Sequence, residues 1–213
     1  MSADSANIVS IPVDSVELQG DLRVPDGASG IVVFAHGSGS SRHSPRNNYV
    51  AEVLREHGVG TLLFDLLTEE EDVVRKTRFD IPLLTNRLEK VTDWVSDQPD
   101  ARELDVGYFG ASTGAAAALR AAANRGDDIG AVVSRGGRVD MASEALGDVT
   151  APTLFVVGGE DDDVLELNRE AFETLDCEKD LHVVEGAGHL FEGEGELEIV
   201  ADVAAEWFER YLD

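Results

Sequence analysis

Basic residues are scarce in this chain of 213: 17 Lys and Arg stand against 43 Asp and Glu, for a formal net charge of −26. Only three of the bases are lysines, Lys76, Lys90 and Lys179. So acidic a surface repels phosphate backbones and anionic membranes, which argues against nucleic-acid and membrane partners. It also repels itself. Strong acidity commonly marks disorder, but 43% of the residues are hydrophobic and they fall in well-spaced apolar runs, the pattern of a folded core. Because the Debye length shrinks to about 3 Å in molar salt, the composition suits a salt-adapted intracellular protein.

Cysteine is nearly missing. The single Cys177 excludes an internal disulfide framework and a Cys-rich metal site. It lies in "TLDCEKD", among acids that raise a thiol pKa, so a catalytic role is not expected of it. Long apolar runs are missing too, with nothing approaching the roughly 20 residues of a membrane span. The opening "MSADSANIVS" has neither the basic nor the apolar segment of a signal peptide. The expected location is the cytoplasm. Repeats and linkers are absent as well, so the length predicts one domain over residues 1–213.

What the chain does contain is an alternation. "IVSIPV" and "VELQGDLRVP" read as an antiparallel opening. After Pro25-Asp26-Gly27, "GIVVFAHG" is a continuous apolar strand of the kind buried on both faces of a parallel sheet. Similar strands recur at "GVGTLLFDLL", "LDVGYFG", "IGAVVSRGG", "APTLFVVGG" and "DLHVVEGAG". Helix-length segments separate them, at about Asn47 to His57, Leu83 to Ser96, Thr113 to Asn124 and Val164 to Leu175, with a closing one from about Gly195 to Leu212. This predicts an α/β fold with a doubly wound, mostly parallel sheet, whose site lies where loops leave the carboxyl ends of strands. The longest irregular connection is "TEEEDVVRKTRFDIP", from about Thr68 to Pro82. The gap between the strands near Val133 and Phe155 is too short for a large cap, so any cover is small.

The chemistry centres on "GASTG". It fits the G-x-S-x-G nucleophile elbow, and it sits where that motif requires, after a strand and before a helix. Gly110 and Gly114 let the two elements pass closely, and Ala115 to Ala118 make the helix slim. The plainer reading is a strand-to-helix turn that uses glycine for its backbone freedom. A serine hydroxyl needs an adjacent base. Of the five histidines, His189 in "VVEGAGHLF" follows the last strand in a Gly-rich loop that can carry an imidazole to the carboxyl edge. His182 lies inside that strand and His57 ends a helix, while His36 precedes a glycine loop and His43 lies in a polar turn. "GGEDDDV" supplies the acid that orients the imidazole. Asp162 and Asp163 suit helix capping, which leaves Asp161. The order Ser112, Asp161, His189 is the chain order that the elbow predicts, each member just past a strand.

For the oxyanion, the backbone N–H of Thr113 pairs with one from Ser38 or Gly39 in "FAHGSGSS", unless that stretch is only a flexible glycine loop. No metal or cofactor is implied. Arg42 and Arg135 both follow strand ends and are candidates for holding a carboxylate-bearing substrate. Ion pairing with the surrounding acids is the competing role. "GSGSSR" also invites a dinucleotide-binding reading, but Arg42 stands where a third glycine belongs and Pro45 interrupts the expected helix start. Asp65 is then somewhat far from Gly37 for a ribose ligand, and Ser112 and His189 go unexplained.

At these motifs the chain resembles the α/β-hydrolase superfamily, and in particular small proteins of the dienelactone hydrolase group. The likeness runs from "HGSGSSRHSPRN" through "LLFDLLT", "GASTG", "VVSRGG" and "VVGGEDDDVLELN" to "GAGHLF". It implies a mostly parallel sheet of about eight strands without a large cap domain, and a Ser112, Asp161, His189 triad. Dienelactone hydrolase proper uses a cysteine nucleophile, so Ser112 favours ester, thioester or related acyl hydrolysis over lactone opening. The expectation is a serine hydrolase acting on a small acyl substrate through an acyl-enzyme. A catalytically silent scaffold of the same fold, binding a ligand or partner, is the alternative.

Overall fold

The computed structural model of the protein describes residues 7–212; residues 1–6, which include most of the stretch read for targeting signals, and residue 213 lie outside it. The chain opens with β1 (Asn7–Val13) and β2 (Val16–Arg23), an antiparallel pair as expected. Then follow β3 (Gly30–Ala35), α1 (Pro45–Glu56), β4 (Gly60–Phe64), α2 (Glu69–Asp72), α3 (Arg75–Arg78) and α4 (Ile81–Ser96). The second half runs β5 (Asp105–Ala111), α5 (Thr113–Arg125), β6 (Ile129–Arg135), β7 (Thr153–Gly158), α6 (Asp162–Thr174), β8 (Lys179–Val184) and α7 (Glu196–Tyr211).

All eight strands form one sheet in the order β1-β2-β4-β3-β5-β6-β7-β8. Pairing is antiparallel from β1 to β4 and parallel from there to β8. Side chains alternate across a strand, so a strand covered by helices on both faces must be apolar at every position. In β3, Ile31, Val33 and Ala35 face one core while Val32 and Phe34 face the other. In β7, Phe155 faces the first core while Leu154 and Val156 face the second. The first core is closed by α4 and α5, and the second by α1 and α7. The unbroken apolar runs in the sequence are thus a consequence of two-sided burial.

Local signals set the helix boundaries. Ser44 caps α1 by accepting from Asn47 N–H, and Pro45 occupies the first turn, where its missing N–H costs nothing. Pro45 therefore opens this helix rather than interrupting it, a correction to the sequence reading. The irregular connection after β4 contains two single-turn helices, α2 and α3. In the first of them, Thr68 and Glu71 form a reciprocal capping box. No large cap domain is inserted; residues 136–152, between β6 and β7, hold only two short 3₁₀ turns.

Candidate active site

Ser112 joins β5 to α5 with φ 51° and ψ −119°, a conformation that side chains other than glycine rarely adopt. Such strain costs on the order of 1–3 kcal/mol and persists only where the surroundings enforce it. Here they do. Ser112 N–H donates to Arg135 O (3.2 Å), and Ser112 O accepts from Ala115 N–H (3.1 Å) and Arg138 N–H (3.0 Å). The flanking glycines are dictated by contact. A Cβ on Gly110 would lie 2.5 Å from Ala115 Cα, and one on Gly114 would lie 2.1 Å from Ala35 O and 2.5 Å from His36 O. Both requirements go beyond an ordinary turn.

Asp161 stands at the N-cap position of α6, yet its carboxylate makes no capping bond. It accepts instead from His189 Nδ1 at 2.6 Å, while Asp162 and Asp163 occupy the first helical turn. The loops that carry the two residues are tied together, Glu160 N–H donating to Ala187 O (2.9 Å) and Gly159 N–H to Val184 O (2.8 Å). Phe191, buried in the second core, anchors the loop just past His189. Ser112 and His189 line one cavity of about 210 Å³, together with Gly37, Ser38, Ser44, Arg46 and Arg135. Among the described residues no hydrogen bond joins Ser112 to His189.

The two candidate oxyanion loops meet at Thr113. Its backbone N–H opens α5, where no intrahelical acceptor exists. Its hydroxyl accepts from Ser38 N–H at 2.9 Å, so that donor is already engaged. Gly39 does not line the Ser112 cavity; it sits in a turn closed by Ser40 N–H to Gly37 O (3.1 Å), with Arg78 beside it.

The remaining candidates separate cleanly. His57 pairs with Glu209 at the surface (3.0 Å). His36 is buried, with Nδ1 3.0 Å from Gly37 O and Nε2 accepting from Leu66 N–H at 3.0 Å, and burial pulls its pKa down. Arg42 forms an ion pair with Asp65 and lines a different, larger cavity of about 420 Å³ with Glu17, His43 and Asp72. Arg42 is thus engaged with Asp65, the carboxylate that a dinucleotide reading needs for ribose, and does not line the Ser112 cavity. Arg135 does line the Ser112 cavity. So does Arg46, which the sequence reading passed over; its signal was the Ser44-Pro45 helix start, which points the first turn of α1 at the site. Cys177 is half-buried, and burial pushes its thiol pKa up. Among the described residues no group of three or more His, Cys, Asp or Glu is placed to hold a metal, and no helix is long and apolar enough to cross a membrane.

An eight-stranded sheet of this order, with a serine at a strained junction between the central strand and its helix, defines the α/β-hydrolase class. Within that class, the model of the dienelactone hydrolase family matches residues 23–213, and the chain belongs to that family. It is 55% identical to a dienelactone hydrolase from Anabaena variabilis whose crystal structure superposes with a TM-score of 0.95, each chain covered to 98%. Est1E from Butyrivibrio proteoclasticus, 18% identical over 95% of this chain and 98% of its own, has a TM-score of 0.82; that likeness bears on the fold alone. Two Mycobacterium tuberculosis proteins, provisionally named phosphoribosyl transferases, are 57% identical over 204 residues, which is 96% of this chain and 46% of theirs. The chain therefore spans about half the length of these curated relatives.

Proposed function

We propose that this member of a hydrolase family is a serine hydrolase that cleaves a carboxylic ester, thioester or related acyl bond in a small substrate through an acyl-enzyme. The observation that carries the reading is the His189–Asp161 hydrogen bond of 2.6 Å at the cavity that also holds Ser112 in its elbow conformation. With Nδ1 donating to the carboxylate, Nε2 is left as the proton acceptor. His189 and Ser112 line the same cavity, and in the proposed reaction the exposed imidazole turns to the Ser112 hydroxyl as substrate binds, since catalytic hydrogen bonds are often unformed in the free enzyme. Ser112 Oγ then attacks the carbonyl carbon as its proton passes to Nε2. The oxyanion is received by Thr113 N–H and by Ser38 N–H, released from the Thr113 hydroxyl. His189 returns the proton to the leaving group as the carbon–heteroatom bond breaks. Water, activated by the same imidazole, releases the acid and restores Ser112.

The phosphoribosyl transferase name belongs to proteins more than twice as long as their match to this chain, and the arrangement around Ser112 does not call for that chemistry. A fluorophosphonate probe tests the proposal. Labelling is expected at Ser112, and Ser112→Ala abolishes it. Asp161→Asn is expected to slow turnover of an activated ester by roughly a thousandfold or more. Folded protein that neither labels nor turns over esters would instead establish the silent scaffold.

A further inference from the structure

The Ser112 cavity holds two guanidinium groups that no carboxylate answers. Arg135, the last residue of β6, is 9% exposed, and its Nε and Nη1 have no hydrogen-bond partner. Arg46, in the first turn of α1, also has an unpartnered, buried Nε. Among the described residues neither forms an ion pair, whereas Arg42, Arg78, Arg87, Arg125 and Arg138 all do. Arg75, Arg120 and Arg210 also lack an ion pair among the described residues, but none of them lines this cavity; what sets Arg46 and Arg135 apart is that both do. Burial and the Arg46 charge together pull the Arg135 pKa down to about 10, so it remains charged at neutral pH, and no carboxylate contributes. Burying an unpaired charge costs several kcal/mol even after relaxation. Stability alone does not retain Arg135 there, and the half-buried Arg46 adds a like charge beside it.

The surroundings add to the positive potential. Both Ser44, the cap of α1, and Arg46 line the cavity, so the positive end of a 12-residue helix opens onto it. Two cations and a helix N-terminus call for two negative charges at one place. A monocarboxylate supplies one. A phosphomonoester or a pair of carboxylates supplies about two near neutral pH, and the planar guanidinium fork matches either oxyanion. At about 210 Å³ and open to solvent, the cavity has room for such an oxyanion group beside the reacting carbonyl.

We propose that the acyl substrate cleaved at Ser112 carries a dianionic oxyanion group, held between Arg46 and Arg135. The substrate part of this proposal rests on the reading of Ser112 as the nucleophile; the anion site itself does not.

Two measurements keep those parts distinguishable. In the first, calorimetry of the intact protein with inorganic phosphate, malonate and acetate reads the site without requiring activity. Phosphate or malonate is expected to bind at least about tenfold more tightly than acetate, with that affinity falling roughly tenfold or more in Arg135→Gln and in Arg46→Gln, as expected for a lost hydrogen bond to a charged group. Phosphate ahead of malonate assigns a phosphomonoester; the reverse order assigns a dicarboxylate. In the second, kcat/KM for a phosphonate-bearing, a dicarboxylate-bearing and a neutral p-nitrophenyl ester is compared in the same three proteins. The ratio of the dianionic esters to the neutral one is expected to fall in both variants. Removing an unpaired buried charge also leaves the Arg135→Gln fold intact, which its thermal melt checks. Acetate binding as well as the dianions, or affinities and ratios unchanged in both variants, would overturn the proposal. Dianion binding without turnover of any ester would overturn the substrate assignment and retain the anion site.

Discussion

Replacing Gly114 by alanine sets two effects against each other. Alanine inside a helix is favoured over glycine by about 0.5–1 kcal/mol, so propensity alone predicts stabilisation. The new Cβ, however, would lie 2.1 Å from Ala35 O and 2.5 Å from His36 O. Ordinary contact begins near 3.4 Å, so the shortfall exceeds an ångström, and the obstructing atoms are backbone at the end of β3 rather than the tip of a flexible side chain. Overpacking of this kind costs about 1–3 kcal/mol, at the upper end where neither element can yield. The clash wins. A clash near 3 kcal/mol less that gain leaves a net loss of about 2–2.5 kcal/mol, a melting temperature lower by roughly 4–10 °C in a chain of this size. The shift that relieves the clash moves α5 away from the loop after β3, and with it the Ser38 to Thr113 bond, so fluorophosphonate labelling should slow as well. Gly147 is the control. Nothing lies within 4 Å of its would-be Cβ and its φ is ordinary, so Gly147→Ala should melt at or slightly above the parent. If Gly114→Ala melts with Gly147→Ala and labels at the parent rate, the close-approach account of the elbow is wrong.

Two further predictions follow from charge. His36 is neutral in the fold, with burial lowering its pKa from the ordinary 6.5. The unfolded chain then binds this proton more readily, so stability contributed by His36 is full above about pH 6.5 and drains as pH falls toward the folded pKa. The difference in melting temperature between parent and His36→Gln should therefore narrow as pH is lowered, and a constant difference would refute the assignment. With a net charge of −26, self-repulsion should be relieved as KCl shortens the Debye length from about 10 Å at 0.1 M to about 3 Å at 1 M. The melting temperature should rise over that range, and a flat curve would remove salt adaptation from the account.

The sheet was legible because two-sided burial leaves an unmistakable trace, apolar runs such as "IVVFA" and "TLFVV" with no polar alternation. Single-turn α2 and α3 left no periodic trace, since four residues cannot show a helical period; the Thr68–Glu71 box marks α2, and α3 has no side-chain cap. Ser112, Asp161 and His189 could be singled out in the sequence as candidates because each follows a strand, and the parallel β5, β7 and β8 end at the same edge. Arg42 and Arg135 looked alike in sequence, each just past a strand. What separates them is Asp65, which β4 brings to Arg42 and nothing brings to Arg135. The Ser38 bond to Thr113 spans 75 positions, and no local pattern announces it.

The proposed relay stands on uneven ground. Ser112 follows β5, flanked by β3 and β6 in the middle of the sheet, whereas His189 follows β8, a rim strand laddered only to β7. Rim strands detach at a lower free energy than central ones. Under that proposal, turnover is expected to be the first property lost under stress, with the imidazole drifting off while the alcohol stays in place, and the first regained when the rim closes again.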